Sequence, residues 1–425
     1  MVIIILEIIN KYLWSITIIL LVFSGCYFSK KLHFLQFNFK DMLLGFKKDR
    51  KSDISPFKTL MLTLGARIGV GSLAGVALAI YIGGPGTVFW MWLSTLIVAP
   101  NAYVESFLAV LFHERIGKMN EGGPSYYIDK GLKNKRLARL YSIIVLITYI
   151  LGFLTIQSNT IAVSFSNFIN IDPLIIGITL AIITGFVIIK GTQNIIDVSS
   201  KIMPFIGIVY VGISIYVLGC NFNKIPDTIY LVVRNALNFK SMGWGLLTPL
   251  IIGFQRGIFT NEAGIGSGAI AASTVGNEDA KGQGMIQVAG IYFATIILCT
   301  ITAFMVLLSD YSQFNFNNIN GIELTQYAFD YHLGTIGNLV LMLTIFIFAF
   351  STIISGYYYG ESSLKYLKRD VSTSQILFLK LITVILLVVG SVTSSMFLWN
   401  FVDIFVAIMG IINLYAIFRL RKKVK

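Results

Sequence analysis

The chain has 425 residues, 56% of them hydrophobic and 12% charged, whereas soluble domains carry roughly 25% charged residues. That composition excludes a water-soluble surface, and apolar runs recur at about the 20-residue length a helix needs to cross a hydrocarbon core of roughly 30 Å. The net charge of +13 is dispersed between the apolar runs, so it is a matter of membrane topology and not of nucleic-acid binding.

Apolar runs bounded by Gly, Pro or charge predict eleven transmembrane helices, near 10–29, 60–82, 87–112, 139–162, 173–190, 201–220, 243–260, 283–309, 335–358, 375–395 and 398–418. The first could pass for a signal peptide. Glu7 and Lys11 interrupt its start, however, and no small-residue cleavage site follows Phe28, which favours a retained helix. The segment 30–58, with Phe34, Phe37, Phe39, Leu43 and Phe46 among basic residues, reads either as a helix lying on the inner membrane surface or as a basic loop. The expected organisation is an extra N-terminal helix and basic segment at 1–59, five-helix repeats at 60–220 and 243–418, and a basic tail at 419–425. Cys26, Cys220 and Cys299 lack disulfide or metal-ligand spacing and read as small core residues.

Lys and Arg accumulate on cytoplasmic loops. With the N-terminus outside, 28 of the 33 positive residues fall in 30–58, 113–139, 190–201, 254–284, 359–380 and 419–425. Lys11, Lys224, Arg234 and Lys240 remain outside, Arg67 falls inside a span, and the outer loop 310–334 carries Asp310, Glu323 and Asp330. The expectation is a multi-pass protein of the plasma (inner) membrane with its C-terminus in the cytoplasm.

Two stretches interrupt the apolar pattern. Residues 65–75 place four glycines and Arg67 in the middle of a span, and 253–268 is polar and glycine-rich at the inner end of the seventh. Paired interruptions in two five-helix halves point to an inverted-repeat transporter with its site at the midplane. Broken helices there offer N–H groups to a carboxylate and free carbonyls to a cation. The competing reading is that the glycines serve close helix packing, although packing leaves Arg67 unexplained. Arg67 costs roughly 2.5–3.5 kcal/mol at a helix centre, so it faces either an aqueous site or a structural ion-pair partner. Gln157, Ser158 and Asn159 read as substrate contacts or as bonds between helices, and Ser351 and Thr352 as cation ligands or as back-bonds to the preceding turn. A dinucleotide loop at Gly69–Gly71 is excluded by the membrane context and by Ala74. An intramembrane enzyme is disfavoured because His33, His113 and His332 all lie in loops and form no ligand cluster.

Several segments together resemble the alanine or glycine:cation symporters: Gly69-Val70-Gly71-Ser72-Leu73-Ala74-Gly75-Val76, Gly83-Gly84-Pro85-Gly86, Phe89-Trp90-Met91-Trp92 and Gly122-Gly123-Pro124-Ser125-Tyr126-Tyr127-Ile128. Gln157-Ser158-Asn159-Thr160, Arg256 to Gly264, Tyr357-Tyr358-Tyr359-Gly360-Glu361 and Ile411-Ile412-Asn413-Leu414 extend the match through most of the chain. The resemblance implies an all-α polytopic fold of about eleven helices, a five-plus-five inverted repeat of the amino-acid/sodium symporter type with one extra N-terminal helix. It implies sodium symport of alanine or glycine, no catalytic residue, no organic cofactor and no transition metal. Substrate would be held by Arg67, Gly69, Val70, Gly71, Ser72, Gln157, Gly253, Phe254 and Gln255. Sodium would be held by the carbonyls of Gly65 and Ile68 with the hydroxyls of Ser351 and Thr352. Ser72 and Val70 depart from the asparagine and threonine expected of the family, which leaves open proton coupling or a sensor without turnover. Arg67 is similar to a subset associated with larger neutral substrates such as glutamine, and its guanidinium offers a fixed replacement for a cation's charge.

Overall fold

The computed structural model describes residues 2–46, 54–117, 119–237, 244–276, 279–311 and 321–424. The chain opens with α1 (Val2–Lys31), a short α2 (Phe39–Leu44), then α3 (Pro56–Arg67), α4 (Ala74–Gly83) and α5 (Gly86–Leu111). A two-stranded antiparallel hairpin, β1 (Glu114–Ile116) and β2 (Met119–Glu121), precedes α6 (Lys135–Ile169), α7 (Pro173–Ile189), α8 (Thr192–Cys220) and the shorter α9 (Ile225–Ala236). The second half holds α10 (Trp244–Asn261), α11 (Ser267–Ala272), α12 (Ala280–Leu307), α13 (Ile322–Leu333), α14 (Thr335–Leu367), α15 (Thr373–Val392) and α16 (Ser395–Arg419).

The helix starts follow local chemistry. Ser55 caps α3 ahead of Pro56, Asp172 caps α7 ahead of Pro173, and Ser372 forms a reciprocal capping box with Gln375 at α15. Among the described residues, eight helices are long and apolar enough to cross a membrane, and α4 and α7 are shorter apolar helices. Every predicted apolar run coincides with one of these helices or with the α3–α4 or α10 segments. Their outward faces are strongly apolar, with Ile19, Phe186, Ile208 and Phe378 exposed where lipid is the solvent.

Two groups of helices are evident from the packing. α5 lies along α10 and α12, whereas α15 packs on α6 and α7, and α14 on α6 and α8. The extra α1 runs along α16 and α5, fastened where Trp14 Nε1 donates to the Asp403 carbonyl (3.1 Å) and Asn10 Nδ2 to Asn400 Oδ1 (2.8 Å).

The helix ladder breaks twice near the centre, at 68–73 between α3 and α4 and at 262–266 between α10 and α11. The first break lies where the glycine cluster predicts it. The second requires a correction: Gly253, Phe254 and Gln255 lie inside the continuous helix α10, and the chain leaves the helix only after Asn261. Gly253 is glycine for packing, since a β-carbon there would lie 2.6 Å from both the Thr87 carbonyl oxygen and Trp90 Cβ on α5. The left-handed residues that end the helix are Glu262, Gly264 and Gly266, with φ of 55°, 84° and 90°.

The charge count also changes. Arg256, assigned to an inner loop, is buried within α10 and ion-paired to Asp403 on α16 at 2.7 Å, which is what makes an arginine tolerable at that depth. Lys47, Lys48, Arg50, Lys51, Lys118, Lys240 and Lys425 lie outside the described residues. In the 30–58 segment, the six-residue α2 buries Met42 and exposes Phe39 and Leu43.

Candidate transport site

The first break is held open by side chains from several helices. Buried backbone groups released from a helix need partners, and here Val70 N–H donates to Gln157 Oε1 on α6 at 3.0 Å. Thr302 Oγ1 on α12 donates to the Ser72 carbonyl at 2.8 Å, and Thr325 Oγ1 on α13 approaches the Leu73 carbonyl at 3.4 Å. Gly69 admits no side chain: a β-carbon there would strike Thr352 Oγ1 and lie 2.8 Å from Gln157 Oε1. Gly71 is covered by the Phe259 ring, 2.9 Å from where its β-carbon would be.

The second break is held in the same way. Gly264 N–H donates to Glu105 Oε2 (3.2 Å), its carbonyl accepts from Asn413 Nδ2 (2.9 Å), and Tyr141 donates to the Ile265 carbonyl (2.6 Å). Glu262, fully buried in its left-handed conformation, accepts from the Tyr149 hydroxyl at 2.6 Å. Asn413 also donates to Glu105 (2.9 Å) and accepts from Tyr127. Both interruptions are thus shaped by fixed polar side chains.

The oxygens expected to serve a cation come together. Thr352 Oγ1 donates to the Gly65 carbonyl at 2.9 Å and to its own-helix Phe348 carbonyl at 3.1 Å, while Ser351 Oγ faces Gly65 from the same helix. Ile68 caps the C-terminus of α3, where unpaired carbonyls and the negative end of the helix dipole favour a positive charge.

Arg67 points elsewhere. Two residues turn a helix by about 200°, so as Gly65 faces α8 and α14 the Arg67 guanidinium faces α11 and α12. A β-carbon on Gly268 would lie 2.5 Å from Arg67 Nη2, and one on Gly290 3.1 Å from Nη1. The side chain is 2% exposed and makes one long bond, from Nη1 to the Gln287 carbonyl at 3.4 Å. Among the described residues its Nε and Nη2 have no hydrogen-bond partner, and no carboxylate stands within 4 Å.

Beside the first break stands an aromatic wall that sequence reasoning missed. Phe259 stacks on Phe153 (4.9 Å) and abuts Trp399 (5.0 Å). Trp399 carries the Arg256 guanidinium 4.5 Å above its ring. Arg256, one residue along the helix from the buried Gln255, makes a two-pronged pair with Asp403 (2.7 and 3.2 Å). Phe254 packs instead toward Trp90, ring centroids 6.5 Å apart. The structure therefore gathers Gly65, Gly69, Val70, Gly71, Ser72, Gln157, Ser351 and Thr352 around one break. It places Gly253 and Phe254 against α5.

Comparison with known proteins bears on the family and the fold. The model of the "Sodium:alanine symporter family" matches residues 1–425. Among relatives, the probable sodium/glutamine symporter GlnT of Bacillus subtilis (strain 168) is 35% identical over 423 residues, covering 98% of this chain and 87% of its own. The sodium/alanine symporter AgcS of Methanococcus maripaludis is 31% identical over 426 residues, covering 96% and 92%. Among solved structures, MhsT in complex with L-phenylalanine superposes with a TM-score of 0.61 at 16% identity, covering 86% of this chain and 89% of that one. A Na+-coupled sialic acid symporter superposes at 0.51 and 12% identity, covering 95% and 82%. These two likenesses show the helical membrane fold that the two sodium-coupled or amino-acid-binding neighbours share, and the family members are transporters, not enzymes. The chain is a multi-pass membrane protein that belongs to the sodium:alanine symporter family.

Proposed function

We propose that this protein carries a small neutral amino acid, alanine or glycine, into the cell together with sodium, by alternating access about the two helix breaks. The observation that carries the reading is the convergence at 65–72: the Gly65 carbonyl near the C-terminus of α3, the hydroxyls of α14, the backbone of a broken helix and Gln157 meet around one break. Such a site suits one cation and one zwitterion. The Phe259 ring pressed on Gly71 leaves little depth for a side chain, which supports a small substrate. The two packed groups of helices, each drawn from both repeats 60–220 and 243–418, rock against one another as the moving bodies, with the N-terminus outside, the C-terminus in the cytoplasm, and the plasma membrane as the location.

The 35% identity to GlnT, together with Arg67, favours glutamine as the second reading. Counterflow in proteoliposomes preloaded with unlabelled solute tests the choice. Entry of labelled alanine driven by preloaded alanine, glycine or serine supports the first reading, whereas no entry of labelled alanine under any preload, with labelled glutamine entering against glutamine, overturns it in favour of the second.

A further inference from the structure

Three serine hydroxyls lie unused around a single glycine. On the face of Gly65 turned toward α8 and α14, its β-carbon position is 2.6 Å from Ser351 Oγ, 2.8 Å from Ser355 Oγ and 3.6 Å from Ser199 Oγ. All three side chains are fully buried, and among the described residues none of the hydroxyls has a hydrogen-bond partner. Hydroxyls in buried helices ordinarily back-bond to the preceding turn; Ser106, Thr184 and Thr295 are further buried hydroxyls without a partner, but around Gly65 three of them converge on one point. Thr344 bonds the Val340 carbonyl on the same α14, and Thr148 and Thr160 do likewise on α6. Thr352, one residue from Ser351, spends its proton on Gly65 and Phe348. Donor and acceptor capacity has been left open on three residues that face one point between three helices.

We infer that Ser199 on α8 and Ser355 on α14 belong to the cation site, completing with Ser351, Thr352 and the Gly65 carbonyl an all-neutral oxygen cage. The ligand class follows from the donors. A hard cation takes oxygen ligands, and sites for divalent ions supply carboxylates to balance the charge. The cage residues carry only hydroxyls and a carbonyl, so it takes a small monovalent cation, sodium or lithium. The residue that cannot change is Gly65, because any side chain would fill the space the hydroxyls share. Ser199 also gives the site a function in coupling: α8 and α14 pack against α3, so a bound cation ties the last turn of the first broken helix to both. This inference deepens the sodium-symport reading and rests on it.

The test is sodium activation of alanine uptake in proteoliposomes, for the wild type, Ser199→Ala, Ser355→Ala, the double variant, and Thr344→Val as a control outside the cage. A parallel measurement records the sodium-induced rise in melting temperature of each purified protein, since an ion that binds only the folded state stabilises it. The cage requires each single variant to raise the half-saturating sodium concentration at least threefold and the double variant at least tenfold. Thr344→Val and the substrate half-saturation at saturating sodium should then stay within twofold of wild type. The melting response to sodium should weaken in the same order, which decides the matter for any variant too slow to transport. A sodium-driven wild type whose singles and double retain wild-type sodium activation and melting response overturns the cage alone. A wild type insensitive to sodium in both measurements overturns the symport reading and the cage together.

Discussion

Replacing Asp403 with Asn should be among the most damaging single changes in the protein. Arg256 and Asp403 are 5% and 2% exposed and meet through two bonds of 2.7 and 3.2 Å. Asp403→Asn keeps the shape and one acceptor but leaves a buried guanidinium without its counter-charge, which costs about 3–5 kcal/mol. Exchanging both partners for apolar residues, Arg256→Met with Asp403→Leu, removes the buried charge altogether, and such exchanges are often neutral. The double variant still loses the guanidinium stacked 4.5 Å over Trp399 and 5.7 Å from Phe259, worth roughly 0.5–2 kcal/mol. The expected pattern is therefore a double variant more stable than Asp403→Asn by about 1–4.5 kcal/mol, read from unfolding in mixed micelles titrated with a denaturing detergent. An Asp403→Asn protein within about 1 kcal/mol of wild type, or a double variant worse than either single neutralisation, would refute the reasoning.

Gly69→Ala drives a β-carbon into Thr352 and Gln157; overpacking of about 1–3 kcal/mol should lower uptake roughly ten- to a hundredfold, with membrane expression retained on immunoblot. Gln157→Leu strands the buried Val70 N–H, a loss of about 1–3 kcal/mol, so half-saturating substrate should rise about tenfold or more while sodium activation persists. Gly268→Ala displaces the Arg67 guanidinium, and its defect in uptake should be smaller when combined with Arg67→Ala; equal defects in both backgrounds would show that the two do not interact. In Arg67→Ala itself, lost substrate affinity with unaltered sodium activation identifies a carboxylate contact. Enhanced sodium dependence instead identifies a stand-in for a cation's charge, and activity equal to wild type rejects both.

The parts of the fold set by bilayer thickness were legible in the sequence, because runs of about 20 apolar residues have few alternatives in lipid. The first helix break was legible for a similar reason: four glycines and an arginine within 65–75 suit no continuous buried helix. The second lies within the interrupted stretch 253–268 but only at 262–266, not around 253–255, because Gly253 and Gly257 merely look like breakers. They are packing glycines, set against Trp90 and Ser94 of α5, and only φ separates them from Gly264 and Gly266. Arg256 read as a loop cation because its counter-charge lies 147 residues away. The β1–β2 hairpin escaped notice because three-residue strands carry no periodicity. Ser199 and Ser355 were silent for another reason. Ser199 sits beside Ser200 between Asp197 and Lys201, a stretch that reads as a cytoplasmic loop, and Ser355 stands one turn beyond Ser351, so only the geometry reveals that their hydroxyls face one point without back-bonding.

The most direct measurement of the central claim is uptake of labelled alanine and, separately, labelled glutamine into proteoliposomes of the purified protein, with and without an inward sodium gradient. The account predicts accumulation of alanine above equilibrium that collapses when the sodium gradient is dissipated. Accumulation driven by a proton gradient alone, or binding of either solute without net flux, would contradict it.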